Sequence, residues 1–206
     1  SASDNWFQRT SEGTTRKHHC ACEFEGRIYF WGGVNEANQM INVFDIYDIN
    51  SNVWFTGPIS GETRKNSSCV SFEGKIYYIG GENQSGETVS KVSIYDVDKS
   101  IWLTDLDNNS FRRKNASATL INGKLYLWGG VDSTSLDFVS DLDIFQMPRN
   151  SGIAWSEGQS GGTSRAFHSS VVADGRAVIW GGLTYDGPSN SVDIIDLNNH
   201  IYSTST

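Results

Sequence analysis

Four short apolar runs, Ile28-Tyr29-Phe30-Trp31, Ile76-Tyr77-Tyr78-Ile79, Leu125-Tyr126-Leu127-Trp128 and Ala177-Val178-Ile179-Trp180, each end in a pair of glycines. Runs this brief, rich in aromatic and β-branched residues, predict strands covered on both faces, since a helix would need a longer periodic stretch. Before each run stands an acidic or amide residue followed by glycine, Glu25-Gly26, Glu73-Gly74, Asn122-Gly123 and Asp174-Gly175, which suits a tight hairpin with positive φ. Upstream lies a small, polar and β-branched segment such as Ser67-Ser68-Cys69-Val70-Ser71-Phe72, read as strand A pairing with the apolar strand B. Downstream, segments such as Val43-Phe44-Asp45-Ile46-Tyr47-Asp48 and Val192-Asp193-Ile194-Ile195-Asp196 alternate as a half-buried strand C should. A polar turn then leads to Trp54, Trp102, Trp155 or Tyr202, marking a strand D in every copy.

The glycine pairs begin at Gly32, Gly80, Gly129 and Gly181, in steps of 48, 49 and 52 residues, and an arginine stands 16 residues before each pair. A period near fifty predicts a repeat array in which each four-stranded copy buries its faces against its neighbours. Arginine, Gly-Gly, Tyr-Asp and Trp follow one another in an order and at a spacing that resemble the kelch repeat over essentially the whole chain. The resemblance implies an all-β, kelch-type β-propeller with four complete four-stranded blades, strand A nearest the axis and strand D outermost. It also implies that the Gly-Gly, Tyr and Trp positions pack between blades. Blades are expected at 16–57, 64–106, 113–158 and 165–206 within a single propeller region spanning 1–206. Gln146 replaces the usual aspartate in the third copy, and Ile195 and Tyr202 replace Tyr and Trp in the fourth, which affects local packing and not the fold.

Trp6 lies ten residues before Arg16, the separation that links Trp54 to Arg64 and Trp155 to Arg165. Residues 1–15 therefore read as strand D of a preceding blade. A propeller removes open sheet faces by radial repetition, so the expected assembly is a larger ring or one completed by another chain. The alternative is that the N-terminal strand completes the last blade of a closed four-blade ring.

Composition narrows the partners. A formal charge of −8 argues against general affinity for nucleic acid or anionic membranes, and no apolar stretch reaches the 18 residues of a membrane span. Three cysteines, Cys20, Cys22 and Cys69, make no disulfide framework and favour an intracellular, cytoplasmic setting. Glycosylation sequons at Asn66, Asn83, Asn108 and Asn115 leave a secreted origin open. Aromatics at 12% are assigned first to inter-blade packing, where large apolar side chains contribute most.

His18-His19-Cys20-Ala21-Cys22 is the densest run of metal-ligand types, with His18, Cys20 and Cys22 on one face of an extended strand. Small cysteines in an inner strand are the commoner arrangement, so neither metal nor cofactor is assigned. Gly158-Gln159-Ser160-Gly161-Gly162 lacks the strand-to-helix context of a nucleophile elbow, and no phosphate-binding glycine motif occurs.

The more informative feature is the turn before strand A. A meander places the starts of A and C and the ends of B and D on one side, so Arg16, Arg64, Arg113 and Arg165 would share a rim with Asn35, Asn83 and Asp132. Arginine's planar donor fork suits carboxylates. Kelch-type substrate adaptors contact acidic peptides at this turn, and the resemblance carries that expectation onto the four arginines, with His19, Ser67 and His168 beside them. The competing role for an arginine present in every copy is to bond carbonyls or a nearby aspartate within the repeat. The expectation is a non-enzymatic scaffold or substrate-recognition adaptor for an acidic, extended protein segment, with self-association or further blades completing the ring. Alternatives are a carbohydrate-active enzyme, oxidase or mutarotase, and a cytoskeletal or assembly protein.

Overall fold

The structure, a computed structural model, describes residues 9–60, 62–103, 106–107, 112–147, 154–197 and 201–205. Four antiparallel four-stranded meanders follow one another along the chain, and they are arranged as the blades of a propeller. In blade one the strands are A Cys20–Phe24, B Arg27–Trp31, C Asp45–Asp48 and D Val53–Thr56. Blade two runs Ser68–Phe72, Lys75–Ile79, Lys91–Asp96 and Ile101–Trp102, blade three Ser117–Ile121, Lys124–Trp128, Leu142–Gln146 and Ala154–Glu157, and blade four Ser169–Ala173, Arg176–Trp180, Val192–Asp196 and Ile201–Ser205. A second short strand in blade two, Leu106–Asp107, pairs with the start of its strand C.

The A–B hairpins turn where the sequence places them, with Glu25, Glu73, Asn122 and Asp174 and the glycine after each at positive φ. Strand A of each blade adjoins strand A of the next, from blade one through blade four, and among the described elements no comparable contact joins blade four back to blade one. Three hydrophobic clusters fill the three junctions. Tyr29, Trp31 and Phe44 of blade one meet Ile76, Tyr78 and Tyr95 of blade two. Tyr77, Ile79 and Val92 meet Leu125, Leu127 and Phe145 at the second junction, and Trp128 and Leu142 meet Ile179 and Ile195 at the third. Both faces of strand B are therefore covered in the inner blades, which is why that strand is apolar throughout.

Trp6 and the sequon at Asn108 lie outside the described residues. Residues 9–15 carry no strand; they run past strand D of blade one, where the Trp54 indole donates to the Thr10 carbonyl at 3.1 Å. Trp102 donates to the Pro58 carbonyl in the same way, so in blades one and two the D-strand tryptophan clasps the segment that leads into its own blade.

Candidate functional site

The residue after each repeated arginine bridges to the residue after the same blade's glycine pair, Lys17 to Val34, Lys65 to Glu82 and Ala166 to Leu183, while Lys114 pairs with Val131. This pairing draws each D–A turn against its B–C loop, so one side of the propeller is built from these two segments.

The arginines themselves turn inward. Arg64 and Arg165 have no solvent exposure, and the side chains of Arg16 and Arg113 are also buried. Each guanidinium donates to the carbonyl of the first glycine of its blade's pair, at 3.1 Å for Arg16 to Gly32, 3.0 Å for Arg64 to Gly80, 3.5 Å for Arg113 to Gly129 and 2.8 Å for Arg165 to Gly181. Each also reaches a carbonyl at the start of strand C, Val43, Lys91, Asp141 or Ser191. A strand C side chain completes the set: Asp45 for Arg16, Asp143 for Arg113, Asp193 for Arg165 and Ser93 for Arg64. The fixed fork joins the end of strand B to strand C, a geometry that lysine's point charge would not reproduce. Of the two roles raised by the sequence, the geometry supplies the bonds within the repeat.

His168 packs edge-on against Trp128 across the third junction, and its Nε2 lies 2.8 Å from the Ser117 hydroxyl. Burial, reinforced by Arg165, pushes its pKa down to about 4, so the ring is neutral. His19 is exposed at its edge and packs its ring 5.8 Å from Phe30 on the outer side of blade one, where partial loss of solvent around the ring and the Arg16 charge lower its pKa. Ser67 sits 3.3 Å from the Cys20 sulfur inside the first junction. Cys20, Cys22 and Cys69 all join that junction's core, opposite to His19, and all three are free thiols. His18 lies before the strand at a φ of 60°, apart from the face shared by Cys20 and Cys22. Among the described residues no group of three His, Cys, Asp or Glu side chains is placed to hold a metal ion.

Asn35, Asn83 and Asp132 shape the B–C loops. The Asn35 amide oxygen accepts from the Gln39 N–H at 3.0 Å, that of Asn83 accepts from the Ser85 and Glu87 N–H groups at 3.0 Å, and Asp132 accepts from Thr134 and Ser135. Burial acts to raise the Asp132 pKa, but the Ser135 and Thr134 amides outweigh it and the carboxyl is held below its usual value.

The positive groups facing solvent are others. A cleft of about 510 Å³ opens between the B–C loops of blades two and three, lined by the cations Lys91, Arg112 and Lys114, the carboxylates Glu62 and Glu87, and Asn83, Ser133 and Leu136. Glu62 pairs with Lys91 at 3.2 Å, and Glu82 binds both Lys65 and Lys114. Arg112 is exposed, and among the described residues no carboxylate pairs with it. Leu136, 74% exposed, places an apolar side chain at the cleft's edge. Arg112, the residue before the repeated Arg113, thus faces the cleft while the repeated arginine turns into its own blade.

Among the described residues no helix is long and apolar enough to cross a membrane. No curated protein matches the chain. A family model, the KLHDC2/KLHL20/DRC7 Kelch-repeats domain, matches residues 66–206, which takes in blades two to four. With four Gly-Gly blades stapled by buried arginines and more than half its length matched, the chain belongs to the Kelch-repeat domain family of KLHDC2, KLHL20 and DRC7.

Proposed function

We propose that residues 1–206 act as one propeller region that binds another protein, an extended acidic segment, on the side formed by the D–A turns and B–C loops. The observation that carries this reading is the cleft between blades two and three, where Arg112 and Lys91 stand at the surface beside exposed Leu136. An acidic chain crossing it would meet a guanidinium whose fork is open to carboxylates, peptide-bonding groups on Asn83 and Ser133, and one apolar contact. The blade arginines contribute by holding the loops in place, and the protein serves as a scaffold or recognition adaptor without catalysis. The free thiols support a reducing, cytoplasmic setting. Completion of the ring by self-association or further blades belongs to the same reading.

The test is reversal of charge in the cleft, at exposed Arg112 and at half-buried Lys91, the partner of Glu62. Arg112→Glu with Lys91→Glu should lower affinity for an Asp/Glu-rich peptide by at least tenfold, measured by fluorescence polarisation, with an unchanged circular dichroism spectrum. Unchanged affinity in the folded double variant would remove this cleft from the site.

A further inference from the structure

We propose that the junction of blades one and two is an oxidation site, at which a peroxide joins Cys20 of blade one to Cys69 of blade two through a disulfide. The inference is independent of the peptide cleft, which lies between blades two and three.

Only three cysteines occur in 206 residues, and the fold brings all three to one place. Cys20 and Cys22 pair across the first hairpin with Trp31 and Tyr29, so both project from the face of blade one that blade two covers. Cys69 pairs with Tyr78, whose ring packs on Trp31 from the other side of the junction. Strand A of blade one lies against strand A of blade two, and the Cys69 thiol is within hydrogen-bonding reach of both Cys20 and Cys22. The blade itself has no need of sulfur here. By strand register Ser68, Val70 and Ala118 take these three places at the second junction, and Ser117, Thr119 and Ser170 take them at the third.

The surroundings divide the roles between the two thiols. The Ser67 hydroxyl lies 3.3 Å from the Cys20 sulfur. Burial acts to raise the Cys20 pKa, but hydrogen bonding to Cys69 and Ser67 and the charge of Arg64 outweigh it, and the thiol is held below its usual value. Cys69 is pushed up by its bonds to Cys20 and Cys22 and by burial, so it keeps its proton and Cys20 is the better nucleophile. Cys22 and Cys69 are only half-buried, which gives a water-sized oxidant a way in. The Cys20 thiolate attacks one peroxide oxygen, the O–O bond breaks, and the departing hydroxide takes up a proton to leave as water, with Cys20 now a sulfenic acid. The Cys69 sulfur then attacks the Cys20 sulfur, and the Cys69 proton departs with the sulfenic hydroxyl as a second water. Two thiols and one peroxide become one disulfide and two waters. The bond closes the loop from residue 20 to residue 69 and ties two blades together, so oxidation strengthens this junction and reduction releases it.

Peptide mapping of the folded protein tests it. Wild type treated with hydrogen peroxide, alkylated and cut with trypsin should yield residues 18–27 joined to residues 66–75, with the chain lighter by two hydrogens and one thiol left to alkylate. The urea midpoint should rise on oxidation and return to its starting value with dithiothreitol. The link should survive Cys22→Ser and be lost in Cys20→Ser and Cys69→Ser, and in Cys69→Ser dimedone should label Cys20 as its sulfenic acid. Circular dichroism reports whether each variant folds, and the wild-type map decides the matter without them. Three free thiols after peroxide treatment overturn the proposal. So do a bond between Cys20 and Cys22 inside one peptide, a link that persists in Cys20→Ser, or a disulfide found only between two chains at doubled mass.

Discussion

The carbonyl of Arg64 accepts the N–H of Gly33 at 2.8 Å across the junction of blades one and two, while the Arg64 side chain is spent on its own blade. One residue thus fastens strand B to strand C within a blade and holds the preceding blade's glycine turn from outside. The relationship accounts for both constant motifs at once. The glycine pair bends to positive φ and leaves room for a neighbour's carbonyl, and Arg64, Arg113 and Arg165 each supply that carbonyl to the blade before them.

Removing a blade arginine should therefore unfold the protein before it alters recognition. Arg165→Ala deletes donors to Gly181, Ser191 and Asp193 inside the third junction's blade pair. Loss of a buried, hydrogen-bonded charge partner costs about 3–5 kcal/mol. Urea unfolding should show a midpoint far below wild type. A midpoint close to wild type with lost peptide binding would return the arginine to the binding site.

Glycines should differ in tolerance according to what stands beside them. Gly32→Ala brings a Cβ to 2.0 Å from the Arg64 carbonyl at a φ of +68°, so the junction must open. Gly86→Ala, at a φ of +82° in the B–C loop of blade two, meets nothing within 4 Å and loses only to left-handed backbone, about 1–2 kcal/mol. Denaturation midpoints should rank Gly86→Ala well above Gly32→Ala, and equal losses would show that backbone strain alone governs both.

His168 gives the fold a pH dependence with a fixed sign. Its folded pKa is about 4 against 6.5, so between these values the unfolded chain binds a proton that the folded chain does not. Stability rises with pH across that window, and below it about 3 kcal/mol is lost to this group. His168→Gln should flatten the difference between the unfolding midpoints at pH 4.5 and pH 7. An equally steep dependence in the variant would assign it to the carboxylates.

The meander, its four-fold repetition and the tight A–B hairpins were legible because each has a local signature: apolar strand B, an amide or acid before glycine, a fixed period. The arginines' inward turn was not, since a residue repeated in every copy fits a rim and an interior equally well. A usable signal was present one strand later, where Asp45, Asp143 and Asp193 recur in strand C opposite Arg16, Arg113 and Arg165. Ser93 in that position hid the pattern in blade two. The cleft around Arg112 and Leu136 was beyond reach for a different reason: its residues come from separate loops and meet only once blades two and three are docked.

Amide hydrogen exchange with and without an Asp/Glu-rich peptide tests the central claim most directly, because it locates the ligand without altering the protein. The account predicts new protection at residues 82–91, 112–116 and 131–139, with the A–B hairpins on the opposite side unchanged. Protection confined to those hairpins, or none at saturating peptide, would contradict recognition through the D–A turns and B–C loops.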